Sequence, residues 1–334
     1  MDVPSFDDLP TIPGGTSRGC AWDVWNKVHA DKTGTTGEKD GLGTLNHLTP
    51  AVVAAAGKEI QTGDRAALDW GLDAYDHVGF GRKKLDFNMI DGEAVSGGFF
   101  LANDDEISLN TQISSQWDGL CHLAHQKAKL YYNGTTHAQM QSGRDRPGSV
   151  HLWSKAGGIC GRGVLIDYAA YAEAHGITYN HYDLHAITVA DVEAVAKWEG
   201  VTFKPGDILV LRTGWIPWHD ALKADDPAKF ITHTHENHNN VGLEPSEAMA
   251  AFIWNNRFAA AAADNPTLEA WLSSGMLLHE YLLAMMGCPI GELWNLESLS
   301  KMCAKNKRYT FFLASAPLNI HGAIASLANV VAVQ

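Results

Sequence analysis

The centre and C-terminal part of the chain carry short, unbroken apolar runs: Val164-Leu165-Ile166, Ile208 to Leu211 and Phe311 to Ala314. Runs of this length without alternation predict strands covered on both faces, since a half-exposed strand would alternate apolar and polar positions. Amphipathic stretches lie between them. Thr49-Pro50, then Val52, Val53, Ala56 and Ile60 with Gly63 beyond, has the N-cap, first-turn proline, apolar face and terminal glycine of a helix. Thr188 to Asp191 reads as a capping box, with Val189, Val192, Val195 and Trp198 as the buried face of a helix that ends before Gly200. Met276 to Met286 is strongly apolar and predicts a further helix that stops at Gly287, ahead of Pro289. Strand-like and helical segments in alternation predict an α/β fold. There is no internal repeat, and the Gly-rich tract from Thr33 to Gly43 is the most linker-like stretch, so the expected organisation is an N-terminal arm, residues 1–48, and a single domain, residues 49–334.

Composition narrows the function classes. The chain has 334 residues, 46% hydrophobic and 19% charged, as for an ordinary globular protein with a sizeable core. The net charge of −13 has no basic stripe, which disfavours nucleic acid or an anionic membrane and leaves a small molecule as the expected partner. The five cysteines are scattered, odd in number and without Cys-x-x-Cys pairing, which argues against a disulfide framework and a thiolate zinc site. The first residues lack a basic and apolar leader pattern, and no stretch approaches eighteen apolar residues, so the expectation is a cytoplasmic protein.

The candidate chemistry is concentrated between residues 112 and 122. There Gln112, Gln116, Asp118 and His122 stand at intervals of four, two and four, with Trp117 beside the carboxylate. Carboxylate and imidazole are metal donors, and imidazole also moves protons. The same string also suits a polar loop, with Asp118 capping a turn through Gly119 and His122 satisfied locally. His279, followed by Glu292, allows two readings as well: a core histidine bonded to a backbone carbonyl, or a ligand pair. Thr232-His-Thr-His-Glu-Asn-His238 resembles a surface histidine cluster and reads as a loop or lid.

The 112–122 segment resembles the metal-binding motif of the cyclase-like metal hydrolases, the family of bacterial kynurenine formamidase and isatin hydrolase, whose pattern is His-x-Gly-Thr-His-x-Asp-x-Pro-x-His. Asp118 falls on its aspartate and His122 on its last histidine, whereas Gln112 and Gln116 replace the two ligand histidines, Ser114-Ser115 replaces Gly-Thr and Leu120 replaces Pro. Further landmarks follow in order: Leu42 to Pro50, Gly158 to Asp167, Pro205 to Trp215, and the His279–Glu292 pair.

The resemblance implies a mixed β-rich core with helices outside, a dimer or tetramer, and zinc, with manganese as the alternative. It makes Asp118, His279 and Glu292 metal ligands and His122 the proton-transfer residue, with His125 the competing candidate. Because imidazole is the stronger donor, the two glutamines imply one metal per chain. Gln116 is then a weak fourth ligand or a hydrogen-bond partner, and Gln112 an outer support. Ser115, Trp117, Trp215, Tyr131 and Tyr132 are candidates around the substrate. The implied reaction is metal-assisted opening of a small cyclic ester or amide, as in zinc-dependent trans-dienelactone hydrolases. A formamidase and a non-catalytic ligand-binding homologue are the alternatives.

Overall fold

The computed structural model describes residues 3–75, 79–230, 239–271 and 275–334. It has a mixed α/β architecture built on one nine-stranded sheet. In spatial order the strands are Arg65–Ala67, Val330–Val333, Thr310–Ser315, Ile159–Asp167, Ile208–Arg212, Ala260–Ala263, Ile290–Glu292, Gln116–Asp118 and Ala325–Leu327. The four from Ile159–Asp167 to Ile290–Glu292 run parallel, and the pairings outward from them are antiparallel. Helices Pro50–Ala56 and Val189–Glu199 pack on the Ile159–Asp167 strand, and Glu297–Asn306 packs on Arg65–Ala67.

The apolar runs at 164–166 and 208–211 lie in the parallel block and are buried on both faces. Phe311 to Ala314 differs: in Thr310–Ser315, buried and half-buried positions alternate, because this strand sits near the sheet edge where one face is only partly covered. Ala260–Ala263 is buried at every position. Its small side chains leave no room beside Gly291, where an added Cβ would come within 2.6 Å of Ala262 and 2.7 Å of the Trp294 ring.

The helix at Thr188 forms over Val189–Glu199 with a full capping box and a left-handed Gly200, but Trp198 is 43% exposed and Ala196 takes the buried position. The helix behind Pro50 ends at Ala56 and tightens into a 3-10 turn, leaving Ile60 46% exposed. The apolar stretch before Gly287 is a π-helix, Glu280–Met286, with His279 at its N-cap and Gly287 closing it at φ 70°. Residues 3–48 fold onto the same core: Phe6, Ile12 and Trp25 belong to the central apolar cluster. Trp22 and Trp25 donate their indole N–H groups to the carbonyls of Ala284 and Met286, each at 2.7 Å, and so hold the end of the π-helix.

Candidate metal centre

Strand alternation and register assemble the site. Within Gln116–Asp118 the outer two side chains share one face and Trp117 takes the other. The antiparallel neighbour Ile290–Glu292 places Glu292 directly opposite Gln116, hence on that same face. His279 is delivered from the start of the π-helix. Among the described residues, ligand atoms of Asp118, His279 and Glu292 all lie within 4.8 Å of one another, and all three residues are buried. His279 Nε2 is 3.1 Å from Glu292 Oε1 and 3.8 Å from Asp118 Oδ2.

The two glutamines surround these carboxylates as donors. Gln116 Nε2 donates to Glu292 Oε2 at 2.6 Å and to Asp118 Oδ1 at 3.3 Å. Gln112 Nε2 donates to Asp118 Oδ1 at 2.7 Å and lies 3.3 Å from His122 Nε2. In this arrangement Gln116 bridges the two carboxylates by hydrogen bonds. Asp118 Oδ2 and Gln116 Oε1 are buried with no hydrogen-bond partner.

An unpartnered carboxylate oxygen, a second buried carboxylate and an imidazole nitrogen close together fit a divalent cation. The electrostatics agree. Burial pushes the Glu292 carboxyl up, and the nearby Asp118 charge adds to this. Burial opposes charge on His279, but the carboxylates of Glu269 and Glu292 outweigh it and hold the imidazole well above its ordinary range. A proton there partly offsets the negative charge that a bound cation would offset in full.

Glu269 is the main residue that sequence reasoning missed. It accepts from the His279 backbone N–H at 3.1 Å and faces Nδ1 at 3.1 Å, the usual way of orienting a ligand imidazole. The only available signal was the chemical need for such an acceptor, which singles out no one acid. His122 sits in the turn after the strand, 3.6 Å from Asp118 Oδ2. Burial lowers its pKa, with the Asp118 charge opposing, so it favours the neutral form.

Gln112, Asp118, His122, His279 and Glu292 line a cavity of about 400 Å³ together with Phe80, Leu123, Pro266 and Trp271, and with Arg82 and Asn110. Other candidates lie elsewhere. Trp117 packs edge-on against Trp294 and donates to Ser315, because alternation turns it away from the site. Ser115 is engaged by backbone groups of Trp70 and Leu293. Trp215 stacks on His219 inside an aromatic cluster with Trp70 and Tyr75. Tyr132 donates to Asp40, Tyr131 bonds to His137, and His125 bonds to Ser17. None of these lines the cavity. The histidines at 233, 235 and 238 lie outside the described residues.

The likeness to known proteins extends over most of the chain. Residues 69–270 match the family described as "Putative cyclase". A crystal structure described as that of a novel cyclase is 30% identical, covering 95% of this chain and 100% of its own, with a TM-score of 0.79. Isatin hydrolase A from Labrenzia aggregata is 19% identical over 86% of this chain and 98% of its own, at a TM-score of 0.56. For isatin hydrolase A from Ralstonia solanacearum the figures are 18%, 85%, 97% and 0.58. These two share the fold. A comparison with curated proteins returns no match. Among the described residues no helix is long and apolar enough to cross a membrane. The family match and the 30% identical structure, taken over this extent, place the chain in the cyclase family.

Proposed function

We propose that this chain is a metal-dependent hydrolase that opens a small cyclic ester or amide, with one zinc or manganese ion held by Asp118, His279 and Glu292. The observation that carries the reading is the buried Asp118–His279–Glu292 cluster with its unpartnered Asp118 oxygen, beside His122 in the lining of a cavity. A divalent cation bound there supplies Lewis acidity.

The chain's own residues do the rest. When neutral, His122 presents Nε2 as an acceptor to the Gln112 amide. Once a water takes the place of that amide, the same nitrogen can accept the proton of the attacking water and return it to the leaving oxygen or nitrogen. Water oxygen joins the carbonyl carbon as the ring C–O or C–N bond breaks, giving a carboxylic acid and a hydroxyl or amine. Asp118 Oδ2, 3.6 Å away, stabilises the imidazolium formed in between. The apolar walls accept the faces of a small ring. A single cation and one proton carrier suit an ester better than an amide, since alkoxide leaves more readily; a lactone is the preferred substrate class.

Elemental analysis should find close to one ion per chain, and a screen of lactones, imides and N-formyl amines should find turnover among the lactones. Asp118→Ala should lose ion and activity together. His122→Ala should keep the ion and lose ~10²–10⁴-fold in turnover. Loss of the ion from the His122 variant would overturn the assignment of roles. A loaded protein that binds lactones without opening them would point to a ligand-binding homologue.

A further inference from the structure

We infer that Arg82 makes this cavity selective for substrates that carry a carboxylate apart from the bond that is cleaved; the inference rests on the hydrolase reading above. Arg82 is half-buried in the cavity lining, next to Phe80, whose ring centroid is 5.3 Å from the guanidinium carbon. Its Nη1 donates to the backbone carbonyl of Gln112 at 2.9 Å, which points the group over the same residue that braces Asp118.

Arg82 differs from the arginines whose ion pairs brace the fold. Arg162 pairs with Glu59 and Asp207, Arg212 with Asp167 and Glu297, and Arg308 with Glu59. Among the described residues no carboxylate lies within ion-pair distance of Arg82, although its charge is felt by both His122 and Glu292. A guanidinium held by one backbone bond, beside apolar walls and with donors to spare, is arranged to receive a carboxylate through two parallel N–H bonds. Such a contact reaches a group away from the scissile carbonyl, since that carbonyl must sit over Asp118 and His122. The substrate class is therefore a small ring bearing both a hydrolysable ester or amide and a free carboxylate.

The test uses a pair of lactones that differ only in carrying a carboxylate or its neutral carboxamide. The wild-type protein should prefer the carboxylate form in kcat/KM. Arg82→Met should lower the carboxylate form's kcat/KM ~10–100-fold more than the carboxamide's, mainly through KM, as expected for removing hydrogen bonds to a charged group. Arg82→Lys should restore part of the preference. An equal loss on both substrates, or a wild-type protein that does not discriminate, overturns the inference. Calorimetric binding of the two compounds to the wild-type and Arg82→Met proteins decides the matter even without turnover. Absence of turnover with a retained carboxylate preference would count against the hydrolase reading alone.

Discussion

Both ring nitrogens of His279 are committed: Nδ1 to Glu269, and Nε2 toward Glu292 and Asp118. A carboxylate behind a ligand imidazole fixes the ring and raises its basicity, and its loss typically costs about 10–100-fold in metal affinity. Glu269→Gln should therefore weaken cation binding by that factor while leaving the protein folded, as judged by a chelator competition alongside circular dichroism. Without an ion, the two carboxylates hold a proton on His279 well above the usual imidazole range. A cation must displace that proton, so its affinity should fall as pH falls, and more steeply in the wild type than in Glu269→Gln. Equal affinities and equal pH slopes would remove Glu269 from the site's working parts. Trp117 is the converse case. It adjoins Asp118 in sequence, yet on a strand neighbouring side chains face opposite ways.

At the scale of elements, the π-helix Glu280–Met286 explains how His279 arrives and why the sequence suggested an ordinary helix. Every residue from Tyr281 to Met286 is buried, so no polar face exposes the helical period. The last turn, like any helix end, leaves carbonyls without intrahelical partners, and the indoles of Trp22 and Trp25 take those of Ala284 and Met286. Its end is pinned by backbone contact: Thr44 N–H donates to the Gly287 carbonyl at 2.8 Å, and Gly43, at φ 56°, lies against it. A Cβ on Gly43 would sit 1.8 Å from that oxygen, whereas Gly34, at φ 73°, has open space around it. Both sites carry the left-handed penalty of about 1–3 kcal/mol for a side chain. Gly43→Ala should exceed Gly34→Ala by the cost of the collision, and should also weaken cation binding by shifting the element that bears His279. Equal losses in denaturant titrations would mean that the Gly43–Gly287 contact does not anchor the helix.

For the whole molecule, pH acts through buried acids as well as the net charge of −13. Burial pushes Glu199 up to about 9; the nearby Asp167 charge adds to this and the Asp167 backbone N–H opposes it. A folded pKa above the unfolded one means that the native state binds more protons between the two values. Its contribution to stability is therefore fully present below the ordinary carboxylate range and is lost as pH rises toward about 9. Self-repulsion at high pH works in the same direction. Glu199→Gln separates the two, because it keeps an acceptor for the Asp167 N–H and cannot ionise. Denaturation midpoints followed from pH 5 to 9 should fall less in the variant, and parallel curves would assign the decline to net charge instead.

The α/β class, the capping box at Thr188, the stop at Gly287 and the core strands at 164–166 and 208–211 were legible in the chain, because each rests on local chemistry: a cap, a left-handed glycine or a run of apolar residues. Asp118, His279 and Glu292 were legible through motif resemblance, with nothing in their spacing to say that they meet. The three-residue strand Gln116–Asp118 is too short to show a period, and the alanines at 260–263 suit a helix as well as a strand. What tertiary structure alone decided was register and approach: Glu292 opposite Gln116, Glu269 behind His279, Arg82 held beside the cavity by the Gln112 carbonyl, and Trp215 and Ser115 turned to other partners. Those contacts join residues far apart in the chain, and their energies depend on which faces the sheet and the π-helix present to each other, a quantity that no local window of sequence contains.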